Sequence, residues 1–400
     1  MPGADLRAAG DRQLAESLLR EPIIRKALEK FDRLAEEMGS RRHLLATALR
    51  LTPEMAPDVH EIVEGCHRLL GLEAPLEVYV YPESAFNAAA VRPEQERIFV
   101  LFSAGLLEAF EPDELRFVAG HELGHHLFEH HKIPSVALLH GIVQTDPALV
   151  LQLFAWQRYA EISSDRTGLA CAGGLEPAAR ALFKLASGLS GGRIKVRIDQ
   201  FLAQVGDFRA ESERLTKAHE PVRSDWFATH PFSPLRLRAA EVFSRSELMI
   251  PGGIRREQLE AEVEDVVRLM EPGYLQERSE VAEAMRRLLF AGAVLIATSS
   301  GGVDEQALAA LERLLGPGAI PTEVNADAVR AQLPRWVQRV MEVVPPLRRA
   351  QVIRDLVVIA RADGSIGELE QRVLHEIASA VGVDPSVIAR TETATSCCDP

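Results

Sequence analysis

Apolar residues recur at helical spacing over most of this chain. Leu14, Leu18, Leu19, Ile23 and Leu28 carry the pattern with charges between them, and Val59, Ile62, Val63 and Leu69 repeat it. Residues 1–74 are therefore expected to form an N-terminal helical segment packed on the domain that follows. That segment offers no recognisable chemistry. The period changes over 76–103. Leu76-Glu77-Val78-Tyr79-Val80-Tyr81 is rich in β-branched and aromatic residues and Pro82 ends it, and 97–102 is a second strand signal. The stretch between them, with Asn87 and Pro93, predicts a turn or an irregular strand. Helical spacing returns over 112–131, where Pro112 suits the first turn and Asp113 and Glu114 suit the positive end of the helix dipole. Further helices are expected at 146–170 and 235–247. Residues 189–224, Gly-rich and then strongly charged, predict a loop with short helices. Pro251-Gly252-Gly253 is the expected linker, and the chain beyond it is almost wholly helical. Two similar stretches there, 297–303 and 360–366, form a weak two-copy repeat.

A length of 400 residues suggests two to three domains, and 47% hydrophobic with 26% charged residues suits a folded chain with a substantial core. The net charge of −13 argues against a nucleic-acid partner, which would call for a basic stripe. The longest apolar run, 288–297, has ten residues and follows Arg286 and Arg287, whereas a membrane span needs about 20. The N-terminal stretch, with Asp5, Asp11 and Glu16, lacks the pattern of a signal peptide. The expectation is a soluble, cytoplasmic protein with no membrane insertion. Cys66 and Cys171 fall in apolar helical patterns and are expected in the core. Cys397 and Cys398 lie in a polar tail, 393–400, expected to be disordered.

One motif carries chemistry. In His121-Glu122-Leu123-Gly124-His125 the two histidines stand at i and i+4, on one helix face, where both imidazoles can reach one ion and the glutamate can sit beside its bound water. Zinc suits such ligands when one position stays open. The bland alternative is an exposed His/Glu helix. A third ligand would decide. His131 stands six residues after His125, but one zinc-protease class with that spacing needs a glycine where Phe128 stands, so that the chain can turn back. His126, His130 and His131 are accordingly expected to be solvated helix-end residues. Glu161, in Arg158-Tyr-Ala-Glu161-Ile-Ser-Ser-Asp165-Arg166, can complete a His-His-Glu site from a second helix. Asp165, on the same face, can then accept the free N–H of a ligand histidine. Spacing alone equally allows an exposed Glu161 paired with Arg158 or Arg166.

At these residues the chain resembles the M48 zinc metallopeptidases, which include the HtpX and CAAX prenyl proteases. The resemblance covers roughly 75–247. It rests on Glu114-Leu115, on the His121-to-His125 motif, and on Arg158, Glu161, Asp165, Arg166 and Gly168. It implies one Zn²⁺ per chain held by His121, His125 and Glu161, with Glu122 as catalytic base and Asp165 in support. Thr229-His230-Pro231 and Arg236 resemble the family's His-Pro motif, whose groups are thought to stabilise an oxyanion. Ser84-Ala-Phe-Asn87-Ala88 resembles its Asn-Ala stretch before an edge strand, which takes up an extended substrate by backbone pairing. Residues 97–102 are that edge or else an internal strand. Many family members carry membrane helices whereas this chain shows no run long enough, so a preference for prenylated or membrane substrates is not carried over.

Residues 285–390 resemble the TerB-like helical domains, through Ala362-Asp363-Gly364-Ser365-Ile366 and Glu370. Locally, Gly364 suits a turn and Ser365 with Glu368 suits a capping box. The expected fold is mainly α (α+β): a helical gluzincin-type metallopeptidase domain with a small β-sheet, 75–250, then an all-α accessory domain, 254–392. The expected function is a zinc metalloendopeptidase acting on protein or peptide substrates. The alternative is a silent or latent protein acting as an interaction or stress-response scaffold. Residues 254–392 are the candidate surface for a protein partner or self-association.

Overall fold

The computed structural model describes residues 3–135, 147–191, 195–218, 233–270, 274, 279–299, 309, 311, 325–361 and 366–388. His230, residues 300–303 and 362–365 of the two repeat stretches, and the tail with Cys397 and Cys398 lie outside the described residues. The chain is mainly helical with one small sheet, and divides into two compact units. The first comprises 1–134, 156–205 and 230–267, and the second 135–155, 206–229 and 268–400.

The first unit opens with helices α1 (Ala9–Arg20), α2 (Pro22–Met38) and α3 (Ser40–Thr47), strand β1 (Leu49–Leu51) and helix α4 (Pro57–Leu69). Strands β2 (Leu76–Tyr81), β3 (Ala88–Glu94) and β4 (Arg97–Ser103) complete a four-stranded sheet in the order β1-β2-β4-β3. β2 runs parallel to β4, with Leu76 opposite Ile98. β3 and β4 form an antiparallel hairpin whose two turn residues, Gln95 and Glu96, both take positive φ, as a tight hairpin requires. The stretch that sequence leaves as turn or irregular strand is thus edge strand β3, and 97–102 is internal. Buried Tyr79 and Phe99 pack with Leu44 of α3 on one face of the sheet.

Beyond the sheet come α5 (Ala104–Ala109), α6 (Pro112–Leu127), α7 (Pro147–Ala172), α8 (Leu175–Ser187), α9 (Ile198–Ala218), α10 (Ser233–Ser244) and α11 (Arg256–Met270). Two expectations are corrected here. Residues 198–218 form one continuous helix rather than short pieces. Their charge density hides an apolar side from which Phe201 packs edge-on against Phe183, ring centroids 6.1 Å apart. The expected linker at 251–253 is a closed turn inside the first unit. Gly252 takes φ 77°, Ser246 bridges to Ile254, and Glu260 of α11 accepts from Arg166 at 2.8 Å.

The second unit is built on α12 (Glu280–Ala297), α13 (Ala326–Val343), α14 (Pro346–Ala360) and α15 (Glu368–Ala380). Leu288, Val294, Ile353, Leu356, Leu374 and Ile377 share one buried core. Arg349 is fully buried and donates to the carbonyls of Met341, Val344 and Val381. The cap of α15 differs from the expected Ser365–Glu368 pair. Its carboxylate comes from Glu370, which accepts the Gly367 N–H at 2.6 Å. Among the described residues no helix is long and apolar enough to cross a membrane. Cys66 and Cys171 are buried free thiols.

Candidate metal centre

Helix α6 begins with Pro112 in its first turn and with the Glu114 carboxylate accepting the Glu111 N–H at 2.8 Å. Glu114 is itself buried and held by Arg180 at 3.0 Å and Lys184 at 2.6 Å, both on α8. The helix is therefore fixed in space before its chemical residues begin. It is buried nearly all round, and His121 and Glu122 lie inside.

Helix α7 crosses α6 at very short range, and glycines make that possible. A Cβ on Gly124 would stand 2.2 Å from Thr167 Oγ1 and 3.0 Å from Ser164 Cα. One on Gly120 would stand 2.7 Å from Cys171 Cβ, and one on Gly168 2.6 Å from the Phe117 carbonyl. The Thr167 hydroxyl lies 2.8 Å from the Gly120 carbonyl and 2.7 Å from the Ser164 carbonyl, sharing its proton between the two helices. This approach delivers Glu161 to the histidines.

His121 Nε2 and His125 Nε2 are 3.3 Å apart, Glu161 Oε1 is 3.4 Å from His125 Nε2, and Glu161 Oε2 is 3.6 Å from His121 Nε2. Ligands placed tetrahedrally about an ion at about 2.0–2.1 Å stand roughly 3.3–3.4 Å from one another. The three side chains already keep that spacing, and they form a group able to hold a metal ion. Glu161 is 7% exposed, so it is not the exposed glutamate that spacing alone allowed, and Arg166 is engaged with Glu260. The donor set of two imidazoles and one carboxylate suits a borderline cation. The local field suits one too. Burial opposes a charge on His125, yet Glu161 and Glu122 hold its pKa above the ordinary histidine value.

Asp165 accepts from His121 Nδ1 at 3.0 Å. Burial works against its charge, but Arg236 and His121 keep its carboxyl below the usual range. Arg236 grips Asp165 through Nε at 2.8 Å and Nη2 at 2.5 Å, and its Nη1 lies 3.6 Å from Glu161. The guanidinium thus faces two carboxylates. Asn87 and Ala88 stand where edge strand β3 begins. The Asn87 N–H donates to Ser103 Oγ at 3.0 Å, and Ala88 pairs with Phe102.

Two of the histidines expected to be solvated, His126 and His130, are buried, and His131 is partly buried. Helix α6 ends at Leu127 rather than at 131, and Glu129 takes the left-handed conformation with φ 56°. The chain turns back there without a glycine and brings in His130, not His131. His130 is 6% exposed, with Nδ1 2.9 Å from His125 Nδ1 and Nε2 3.0 Å from Asp11. His126 is buried against the Phe99 carbonyl at 3.0 Å. Burial pushes both histidines down to about 4. Asp11 and His130 were the residues that sequence reasoning missed. His130 offered a signal in its closeness to the motif; Asp11 offered none.

Comparison with known proteins adds the following. The family model described as peptidase family M48 matches residues 53–145 and 131–243, and that described as tellurite resistance protein TerB matches 286–393. The plastoglobule-localized metallopeptidase 48, chloroplastic, of Arabidopsis thaliana is 27% identical over 212 residues, 50% of this chain and 61% of that protein. Protease HtpX of Stutzerimonas stutzeri is 35% identical over 94 residues, 24% of this chain and 31% of that protein. Protease HtpX of Pseudomonas putida is 38% identical over 85 residues, 21% and 28% respectively. The chain thus spans less than two thirds of each of these relatives. No solved structure matches.

Proposed function

From a chain that carries a peptidase family M48 domain and a TerB domain, we propose a zinc-dependent metalloendopeptidase acting on protein or peptide substrates in the cytoplasm. The observation that carries the reading is the spacing of His121, His125 and Glu161, at 3.3–3.6 Å. These residues would hold the Zn²⁺. When bound, zinc supplies Lewis acidity toward a water and the scissile carbonyl.

The chain's own residues do the rest. Glu122, buried on α6 next to His121 in the chain, takes the proton of the attacking water and returns it to the leaving nitrogen. Asp165 holds His121 in the tautomer that turns Nε2 toward the ion. Arg236 secures Asp165 and lies against Glu161, so we assign it to orientation. Stabilisation of the oxyanion then falls to His230, by the motif it shares with Arg236. Edge strand β3, entered through Asn87 and Ala88, takes an extended peptide by backbone pairing.

The test is Glu122→Gln. That variant is expected to bind zinc like the parent and to lose casein hydrolysis by at least about 10²-fold. Chelation should abolish the parent activity and Zn²⁺ should restore it. Undiminished hydrolysis by Glu122→Gln would sink the assignment.

A further inference from the structure

We propose that Asp11 and His130 are positioning residues of the metal centre. Asp11, on the N-terminal helix, fixes His130, and His130 accepts the Nδ1 proton of His125 so that the Nε2 lone pair of His125 faces the ion. The inference rests on the metal-site reading above and extends it to a part of the chain that carries no motif.

The hydrogen-bond directions lead to it. Asp11 is fully buried. Its Oδ1 receives Arg7 Nη2 at 3.0 Å and the Trp156 indole at 3.0 Å. Its Oδ2 receives Arg7 Nε at 2.9 Å and the Ser163 hydroxyl at 2.8 Å. Arginine and indole can only donate, so the carboxylate is the acceptor at the centre of this cluster. His130 Nε2, 3.0 Å from Oδ2, must therefore carry a proton. That leaves the lone pair of a neutral His130 at Nδ1, 2.9 Å from His125 Nδ1. A contact between two ring nitrogens needs one donor and one acceptor, so His125 donates. Its Nε2 is then free of hydrogen, and it is the atom that faces His121 and Glu161. Each ligand imidazole thus has its own orienting partner, Asp165 for His121 and the His130–Asp11 chain for His125.

The surroundings hold this chain in place. His130 stands edge-on to Trp156, with ring centroids 5.6 Å apart. Ser163, two residues from Glu161, donates to Asp11 and accepts the Ala8 N–H at 3.0 Å, tying the start of α1 to the helix that bears the third ligand. The turn that delivers His130 puts Glu129 in a conformation unfavourable for a residue with a side chain. Such strain is kept where surrounding structure requires it.

The experiment measures Zn²⁺ affinity by competition with a chromophoric chelator, and the visible spectrum of the Co²⁺-substituted protein. The parent, His130→Leu and His130→Gln are compared. Leucine keeps bulk and removes both nitrogens; glutamine supplies an acceptor and a donor in their place. His130→Leu should lower Zn²⁺ affinity by about 10–100-fold and change the Co²⁺ spectrum, and His130→Gln should recover most of both. Asp11→Asn, which keeps a carbonyl for His130, should give a smaller loss of the same kind and serves if His130→Leu does not fold. Parent-like affinity and spectrum in His130→Leu would overturn the proposal. So would a loss that glutamine fails to recover, since that indicates packing alone. A parent protein that binds neither ion would overturn the metal-site reading itself, and the parent measurement shows this before any variant is compared.

Discussion

Gly124→Ala tests the idea that the metal centre depends on how closely α6 and α7 approach. The added methyl would lie 2.2 Å from Thr167 Oγ1 and 3.0 Å from Ser164 Cα. Ordinary contacts between non-bonded heavy atoms sit at about 3.5 Å or more. The Thr167 hydroxyl cannot simply swing away, because it bonds across to the Gly120 and Ser164 carbonyls. Ser164 Cα is backbone and moves only with the helix. Relief thus requires the helices to part by roughly 0.5–1 Å. Ser164 lies between Glu161 and Asp165, so both carboxylates would move with it. Metal sites tolerate deviations of only about 0.2 Å. Two opposing terms set the stability change. Alanine in place of a helical glycine gains about 1 kcal/mol, while forcing a methyl into a packed contact costs about 1–3 kcal/mol. With backbone as the obstacle the cost should lie toward the top of its range, for a net loss of up to about 2 kcal/mol. Gly65→Ala in α4 is the internal control, since nothing lies within 4 Å of its Cβ position; it should gain up to about 1 kcal/mol. Thermal unfolding in chelator reads the fold, and Zn²⁺ titration reads the site, where we expect an affinity loss of about tenfold or more. A Gly124→Ala protein as stable as Gly65→Ala, with parent-like zinc affinity, would refute the reasoning.

Three further outcomes are expected. Asp165→Asn removes the nearer of the two carboxylates that face the buried Arg236 guanidinium, leaving only Glu161 at 3.6 Å, and should cost about 3 kcal/mol in urea unfolding; an unchanged midpoint would show that this pair does not hold Arg236. Glu129→Gly should raise stability by about 1 kcal/mol, since glycine escapes the left-handed penalty, and Glu129→Val should lower it, both read by melting temperature. His126 and His130 have folded pKa values near 4, below the ordinary 6.5. Their stabilising contribution is full above pH 6.5 and is lost as pH falls toward 4, because the unfolded chain takes up protons that the folded one refuses. Each should add about 1.4 kcal/mol per pH unit to the slope of unfolding free energy in that window, and a flat profile between pH 6.5 and 4 would contradict their burial as neutral groups.

Much of the centre is legible along the chain. His121 and His125 share a face because they stand four apart on one helix, and no distant residue is needed to say so. The strands at 76–81 and 97–103 announce themselves by β-branched and aromatic runs. Glu161 is another matter, since spacing alone leaves it paired with an arginine or with an ion. The helix at 198–218 was hidden by its charges. The turn at 251–253 looked like a linker because Pro-Gly-Gly serves equally well in a closed turn. The histidines 126, 130 and 131 read as one solvated group, although Glu129 reverses the chain after His126, which meets the Phe99 carbonyl, and brings His130 to His125 and Asp11.

The sequence by itself determined much of the local chemistry: most of the helices and two of the four strands, that two imidazoles and a glutamate lie close together on α6, and that Glu161 and Asp165 share one face of another helix. These follow from the pitch of a helix, which the backbone hydrogen bonds set within four residues. The tertiary structure decided the rest. It chose the separation of α6 and α7 through Gly120, Gly124 and Gly168, turned Arg236 onto Asp165, and brought Asp11 to His130 across 119 residues of chain. Such pairings depend on which surfaces pack together, and a carboxylate that packing alone has buried leaves no pattern in the residues beside it.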